Sequence, residues 1–416
     1  MDSAVPDPGS VPEVNVASLA AQPYATLEGL RGACPVARAV GPDGAPFWLV
    51  TRYADVAAGL ADPDLSLDRR NATPGQYHGL SLPPALDANL LNMDAPDHTR
   101  VRALAARAFT AQRVEALRPS IQQAADELIR GFAARGEADL VADYAAPLPI
   151  LIISQILGVP APDRSDFRLW TDAILAASAD PAAAKAAMVQ LTGFLGRLVA
   201  DKRTSPGADL LSDLVQARDE NGSLSEEELT SLAFLLLFAG YENSVHLIGS
   251  SILALLDHPD EMKRLLAQPE LLEGAIEELA RYDGPAPLAI RRFPTRDVEI
   301  GGTRIGAGET VMLSLAAANR DPARFPEPDR LDLQRSTGGH VALGRGAHYC
   351  LGAPLARLEL QIAVDTVVRG LPGLRLSVPR DDVRFRPSIR TRGLTALPVA
   401  FDAGDGRQPQ LQEGRQ

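Results

Sequence analysis

One stretch near the middle of the chain, Leu229 to Leu256, constrains the fold more than any other. It is long and apolar enough to suggest a membrane span. Glu242, Asn243 and His246 stand at its centre, however, where hydrocarbon tolerates them poorly. Ser225 with Glu228 three residues on is a capping-box signature, and His258-Pro259 marks a stop. A helix between these signals is about 50 Å long. Being apolar on most faces, it belongs inside a protein core rather than on it. The stretch reads as a buried helix of a cytoplasmic protein.

The rest of the chain can supply that core. The 416 residues are 46% hydrophobic and 23% charged, an ordinary globular composition that excludes a disordered chain. Lys plus Arg number 41 against 53 Asp plus Glu, a net charge of −12. That balance argues against nucleic acid as a partner, while leaving room for a local basic patch facing an acidic protein. Cys34 and Cys350 are too few for a disulfide framework or a cysteine-rich zinc site, which points to a reducing compartment. Met1 to Ala20 carries Asp2, Asp7 and Glu13 but no Lys or Arg, unlike a secretory signal. Residues 1–20 and 404–416 are expected to be flexible, flanking a single domain over 21–403.

Local patterns predict a mostly α protein with a small β portion. Phe47–Val50 has the make-up of a strand, followed by a helix over Tyr53–Ala61. Three- and four-residue apolar spacing predicts helices over Val101–Phe109, Val114–Gly131, Leu151–Leu157, Ala182–Asp201 and Leu271–Tyr282. Strand-like pieces follow at Ala289–Phe293, Val298–Ile300 and Thr310–Leu313, then an irregular Pro-rich stretch over Asp321–Arg335. After Cys350 a helix places Leu351, Leu355, Leu358 and Ile362 along one face.

Cys350 sits in the run Leu343-Gly344-Arg345-Gly346-Ala347-His348-Tyr349-Cys350-Leu351-Gly352. The glycines permit tight backbone and close approach, and the helix start behind the thiol favours its thiolate. Such a thiolate serves as nucleophile or as metal ligand. His348 is only two residues away, but no third orienting group is evident.

This run resembles the haem-ligand loop of cytochrome P450, with Leu343 in place of that family's usual Phe. Three other motifs stand in the matching order. Glu278-Leu279-Ala280-Arg281 resembles the family's Glu-Arg helix pair, with Arg335 as the third member of its network. Ala239-Gly240-Tyr241-Glu242-Asn243-Ser244 resembles the oxygen-activating stretch of the long central helix. His98-Thr99-Arg100-Val101-Arg102 resembles the early helix that holds a haem propionate. The resemblance covers about residues 20–400 and is closest to soluble bacterial members.

The resemblance implies a cytochrome P450 fold with haem b between the central helix and the cysteine loop. Cys350 becomes the axial ligand of the haem iron, with Leu343 and Gly344 shaping its loop and Ala239 and Gly240 facing the oxygen site. His98, Arg102, Arg292 and His348 become the donors to the propionates. Glu242 serves proton delivery. Asn243 stands where the family has Thr, and three readings stay open. Asn243 positions a water or substrate hydroxyl, or Ser244 substitutes for the alcohol, or ordinary oxygen activation is not used. The implied activity is a monooxygenase that hydroxylates or epoxidises its substrate with O2, fed by a separate ferredoxin and ferredoxin reductase docking near Arg345 and Arg357. The alternative is a haem-thiolate isomerase, dehydratase or peroxygenase.

Substrate specificity is expected in Arg69–Leu91, Asp163–Val189, Leu232–Asn243, Pro287–Ile290 and Ser388–Ile389. These stretches are mainly apolar with few charges, which suits a sizeable neutral macrolide, terpenoid or steroid. His78 reads as a solvated loop residue, His246 as core, Cys34 as structural, and Asn221-Gly222-Ser223 as an irrelevant acceptor motif in a cytoplasmic chain.

Overall fold

A computed structural model describes residues 13–41, 43–77, 89–175, 180–221 and 224–404. Its spine is the central helix, Glu226–Asp257. The capping box forms as expected: Glu228 N–H donates to Ser225 Oγ at 3.0 Å, and Ser225 N–H to Glu228 Oε2 at 2.8 Å. The helix passes a membrane-span test by length and composition, but 72% of its most apolar window is buried inside the protein. Its neighbours are Pro147–Ile156, Pro181–Thr204, Leu272–Tyr282 and Ala353–Gly370, which pack around it to form the largest apolar core.

The β portion lies to one side. A four-stranded sheet runs in the order Glu13–Val14, Val36–Val40, Pro46–Val50, Val311–Leu313, with Trp48 opposite Val311. Two smaller cores pack against it. A three-stranded sheet joins Arg375–Leu376, Pro398–Ala400 and Glu137–Asp139, and a hairpin pairs Val298–Ile300 with Thr303–Ile305. Gly301 and Gly302 make the hairpin turn at φ +54° and +79°, a region that disfavours residues with a Cβ.

The helical expectations hold within a few residues. Val101–Phe109 becomes Asp97–Ala106 plus a short turn, and Leu151–Leu157 begins earlier, at Pro147. Ala289–Phe293 is corrected to the two-residue strand Phe293–Pro294, paired with Leu65–Ser66, with isolated bridges at Leu288 and Arg292. Within the amino-terminal stretch expected to be flexible, Glu13–Val14 pairs with the sheet and Val16–Ala21 forms a helix capped by Asn15. His78, most of the Arg69–Leu91 loop beyond Tyr77, and the tail from residue 405 lie outside the described residues.

Glu278, Arg281 and Arg335 form the expected buried network. Arg281 donates twice to Glu278, at 2.6 and 2.8 Å, and Arg335 Nε donates to Glu278 Oε1 at 3.1 Å. Arg281 also donates to Asn319 O at 2.8 Å, while Asn319 Oδ1 accepts from Val341 N–H at 2.8 Å. The network thereby reaches the backbone two residues before Leu343.

Candidate active site

The cysteine loop is folded by its own backbone. Cys350 N–H donates to Leu343 O at 2.8 Å, Gly344 N–H to Val341 O at 2.9 Å, and Tyr349 N–H to Gly346 O at 3.1 Å. Gly344 and Gly346 both take φ +73°. At Gly346 a Cβ would also stand 2.9 Å from Leu60 O, so this position needs glycine for space as well as conformation. The helix Ala353–Gly370 begins three residues after Cys350. Burial pushes the Cys350 thiol up, against the opposing Gly352 N–H and the charges of Arg102 and Arg357.

Above the loop, four donor side chains from separate elements come together. His98 and Arg102 lie on the helix Asp97–Ala106, and His348 lies in the turn Gly346–His348. The His98 and His348 rings stand 4.0 Å apart between centroids. Arg102 donates to Tyr349 O at 2.6 Å, and buried Arg292 to Leu65 O at 3.2 Å and Leu60 O at 3.4 Å. Burial lowers His348 to about 3, with His98, Arg292 and Arg102 adding to the effect. Burial likewise lowers His98, again helped by Arg102, and pushes Arg292 down to about 10. Asp94 is the acid that opposes all three shifts. His98 Nε2 and Arg292 Nε are buried without a hydrogen-bond partner among the described residues. Two arginines and two neutral imidazoles, with orphaned nitrogens on His98 and Arg292, beside a glycine-cradled cysteine fit a dianionic, cysteine-ligated group such as haem.

On the central helix, Gly240 packs where a Cβ would touch Ile153 Cδ1 at 3.4 Å. Glu242 is partly exposed, with Oε1 3.6 Å from His246 Nε2. Asn243 Nδ2 donates to Ala239 O at 3.2 Å, one turn back on its own helix. Glu359, on the helix Ala353–Gly370, is a buried residue that the sequence reading passed over. Burial pushes Glu359 up to about 7, with Ser244 opposing, and its Oε1 has no partner among the described residues. The signal was legible: Glu359 is four residues from Leu355, on the face that the apolar periodicity buries. Tyr241, beside Glu242, donates to Asp172 Oδ1 at 2.6 Å.

Arg357 differs from expectation. It donates to both Glu277 oxygens, at 2.6 and 2.9 Å, and to Tyr349 Oη at 3.0 Å. Its charge is spent within the fold rather than offered to a partner. Arg345 remains exposed.

A cavity of about 980 Å³ opens beside the sheet. Leu91, Leu288, Ala289, Ile290, Ser388 and Ile389 line it, which places three of the five expected specificity stretches on its wall. Asp163–Val189 and Leu232–Asn243 contribute nothing to this wall. The expectation of few charges is corrected as well, since Arg69, Arg291, Arg390 and Asp43 also face the cavity.

A helical body around a long buried central helix, a glycine-cradled cysteine and a cluster of Arg and His donors beside it define the haem-thiolate class. The family model for cytochrome P450 matches residues 184–372. Cytochrome P450 monooxygenase PikC of Streptomyces venezuelae is 47% identical over 92% of each chain. Mycinamicin IV hydroxylase/epoxidase of Micromonospora griseorubida is 42% identical, covering 88% of this chain and 92% of that one. The tirandamycin C-bound monooxygenase TamI superposes with a TM-score of 0.86 at 40% identity, covering 94% of this chain and all of that one. The chain belongs to the cytochrome P450 family, and it is an oxidoreductase, a monooxygenase with haem as its cofactor.

Proposed function

We propose that this enzyme hydroxylates or epoxidises a sizeable, largely apolar natural-product scaffold in the cytoplasm, with electrons from a separate ferredoxin and its reductase and with haem b as the cofactor. The reading is carried by the cavity of about 980 Å³, which has room for such a scaffold and on whose wall Leu91, Leu288, Ile290, Met312 and Ile389 stand beside the charges of Arg69, Arg291, Arg390 and Asp43. The name of the mycinamicin IV hydroxylase/epoxidase, 42% identical over most of the chain, supports it.

Haem bound at Cys350 supplies the chemistry: one atom of O2 enters the substrate and the other leaves as water, consuming two electrons and two protons. The protein's own residues do the rest. Cys350 would hold the haem through its sulfur, on a loop whose bend is set by Gly344 and Gly346 and whose closing acceptor is Leu343 O. His98, Arg102, Arg292 and His348 would bind the cofactor's carboxylates, which would satisfy the orphaned nitrogens of His98 and Arg292. Ala239 and Gly240 keep the helix face slender beside the reaction site. Glu242, partly exposed, carries protons inward from solvent. Ser244, one residue beyond Asn243, offers the neighbouring hydroxyl. Asn243 carries an amide in place of a hydroxyl, and its Nδ2 is engaged with Ala239 O. A water or a substrate hydroxyl takes the place of the missing alcohol. Exposed Arg345 offers positive charge to the acidic surface of a ferredoxin.

The bonding of Asn243 also favours a second reading, an isomerase, dehydratase or peroxygenase that needs no alcohol in this place; dependence of turnover on a reductase separates the two.

The absorption difference spectrum of the reduced protein with carbon monoxide tests the central assignment. A strongly red-shifted band in the wild type, abolished in Cys350→Ala, is expected. A band that survives the substitution removes Cys350 from the iron.

A further inference from the structure

His246 is a buried histidine with no task in the assignments above. It lies one turn beyond Glu242 on the central helix and is 5% exposed. Nε2 makes no hydrogen bond among the described residues, and Glu242 is the only acid among them within 4.0 Å of it, at 3.6 Å. An unsatisfied buried ring nitrogen is costly, and an aliphatic side chain would fill the same space without that cost.

The ring is also seated deliberately. On its other side lies Gly393, where a Cβ would stand 2.0 Å from His246 Nδ1. Gly393 does not have a positive φ, so space rather than backbone conformation requires glycine there. Its segment is fixed: Arg386 N–H donates to Gly393 O at 2.8 Å, and Arg392 N–H to Pro285 O at 2.8 Å. One turn along the helix, Leu394 Cδ1 packs where a Cβ on Gly249 would stand 3.6 Å away. The same carboxy-terminal segment supplies Ser388 and Ile389 to the cavity wall.

We propose that His246 is a positioning residue: its Nε2–H orients the Glu242 carboxylate, and Gly393 seats the ring that does so. The inference rests on Glu242 as the proton carrier, and it ties that residue to the segment that contacts substrate. A gap of 3.6 Å closes to a hydrogen bond with a small turn of the carboxylate.

The test uses the haem-loaded protein reduced with dithionite and mixed with O2, with the rate of reoxidation followed in the wild type, His246→Phe, Glu242→Gln and the double variant. Each single substitution should slow reoxidation by about threefold or more, and the double variant should be no slower than the slower single. His246→Asn, which keeps a donor, should recover most of the rate, and Gly393→Ala should reproduce the loss. An unchanged rate in His246→Phe, or effects that multiply in the double variant, overturns the proposal. The infrared stretch of carbon monoxide bound to the reduced protein separates the two ideas. If Glu242→Gln leaves reoxidation unchanged, the proton-carrying role of Glu242 falls. The stretch then decides positioning alone: a shift shared by both single variants supports it, and no shift in His246→Phe refutes it.

Discussion

At position 243 the side chain is turned back on its own helix. The Asn243 amide donates to Ala239 O at 3.2 Å, which leaves its carbonyl oxygen as the group able to face a guest. Threonine there would exchange that acceptor for a hydroxyl and remove whatever the substrate had been fitted to. If Asn243 is adapted to its natural substrate, Asn243→Thr lowers the fraction of reducing equivalents recovered in product. Unchanged or improved coupling, measured as NADPH consumed per product formed, argues against adaptation. The departure at 243 was visible in the sequence, because one residue broke an otherwise matching motif. The direction of its amide was not, because a side-chain bond to the preceding turn depends on rotamer and not on spacing.

Among the elements, the helix Leu272–Tyr282 carries the most concentrated demand. Glu278 is fully buried and accepts from Arg281, Arg335 and Asp332 N–H. Removing it strands two guanidinium groups, one of them without solvent, at a cost of about 3–5 kcal/mol. Glu278→Ala should therefore yield little haem-bound protein, read as the ratio of haem absorbance to protein absorbance; full haem content refutes the supporting role. Long helices were legible because their apolar period repeats over many turns. Leu65–Ser66, Phe293–Pro294 and Arg375–Leu376 were not, since a two-residue strand has no period to read and exists only through its partner. Arg357 shows the same limit at the site. Its sequence position suggested a docking charge, and only the fold brings Glu277 against it from 80 residues away.

For the whole molecule, one half-buried and one buried carboxylate set opposite responses to acid. Glu277 is held down at about 2: burial works against it, but Arg357 and His340 prevail. Its contribution is present above its ordinary value of 4.5 and is lost as pH falls through 2. Glu359 is raised to about 7, so its neutral form is the one the fold accommodates. That contribution is full below 4.5 and is lost as pH rises through 7. Glu359→Gln should remove this decline, flattening stability between pH 5 and 8 by on the order of 1–3 kcal/mol. Denaturant midpoints of the haem-loaded protein at the two pH values read the difference; parallel declines in both proteins would count against a neutral Glu359.

The central helix is at once the spine of the core and the carrier of Glu242, Asn243, Ser244 and His246. Few of its positions can change for the sake of a new guest without disturbing the packing that holds the enzyme together. The wall of the large cavity is under no such double duty. Leu288, Ala289, Ile290, Ser388 and Ile389 hang from segment ends and loops at its margin. Retargeting this enzyme, by selection or by hand, is therefore work for the margin: the reaction travels with the spine, and the choice of molecule can be rewritten around it.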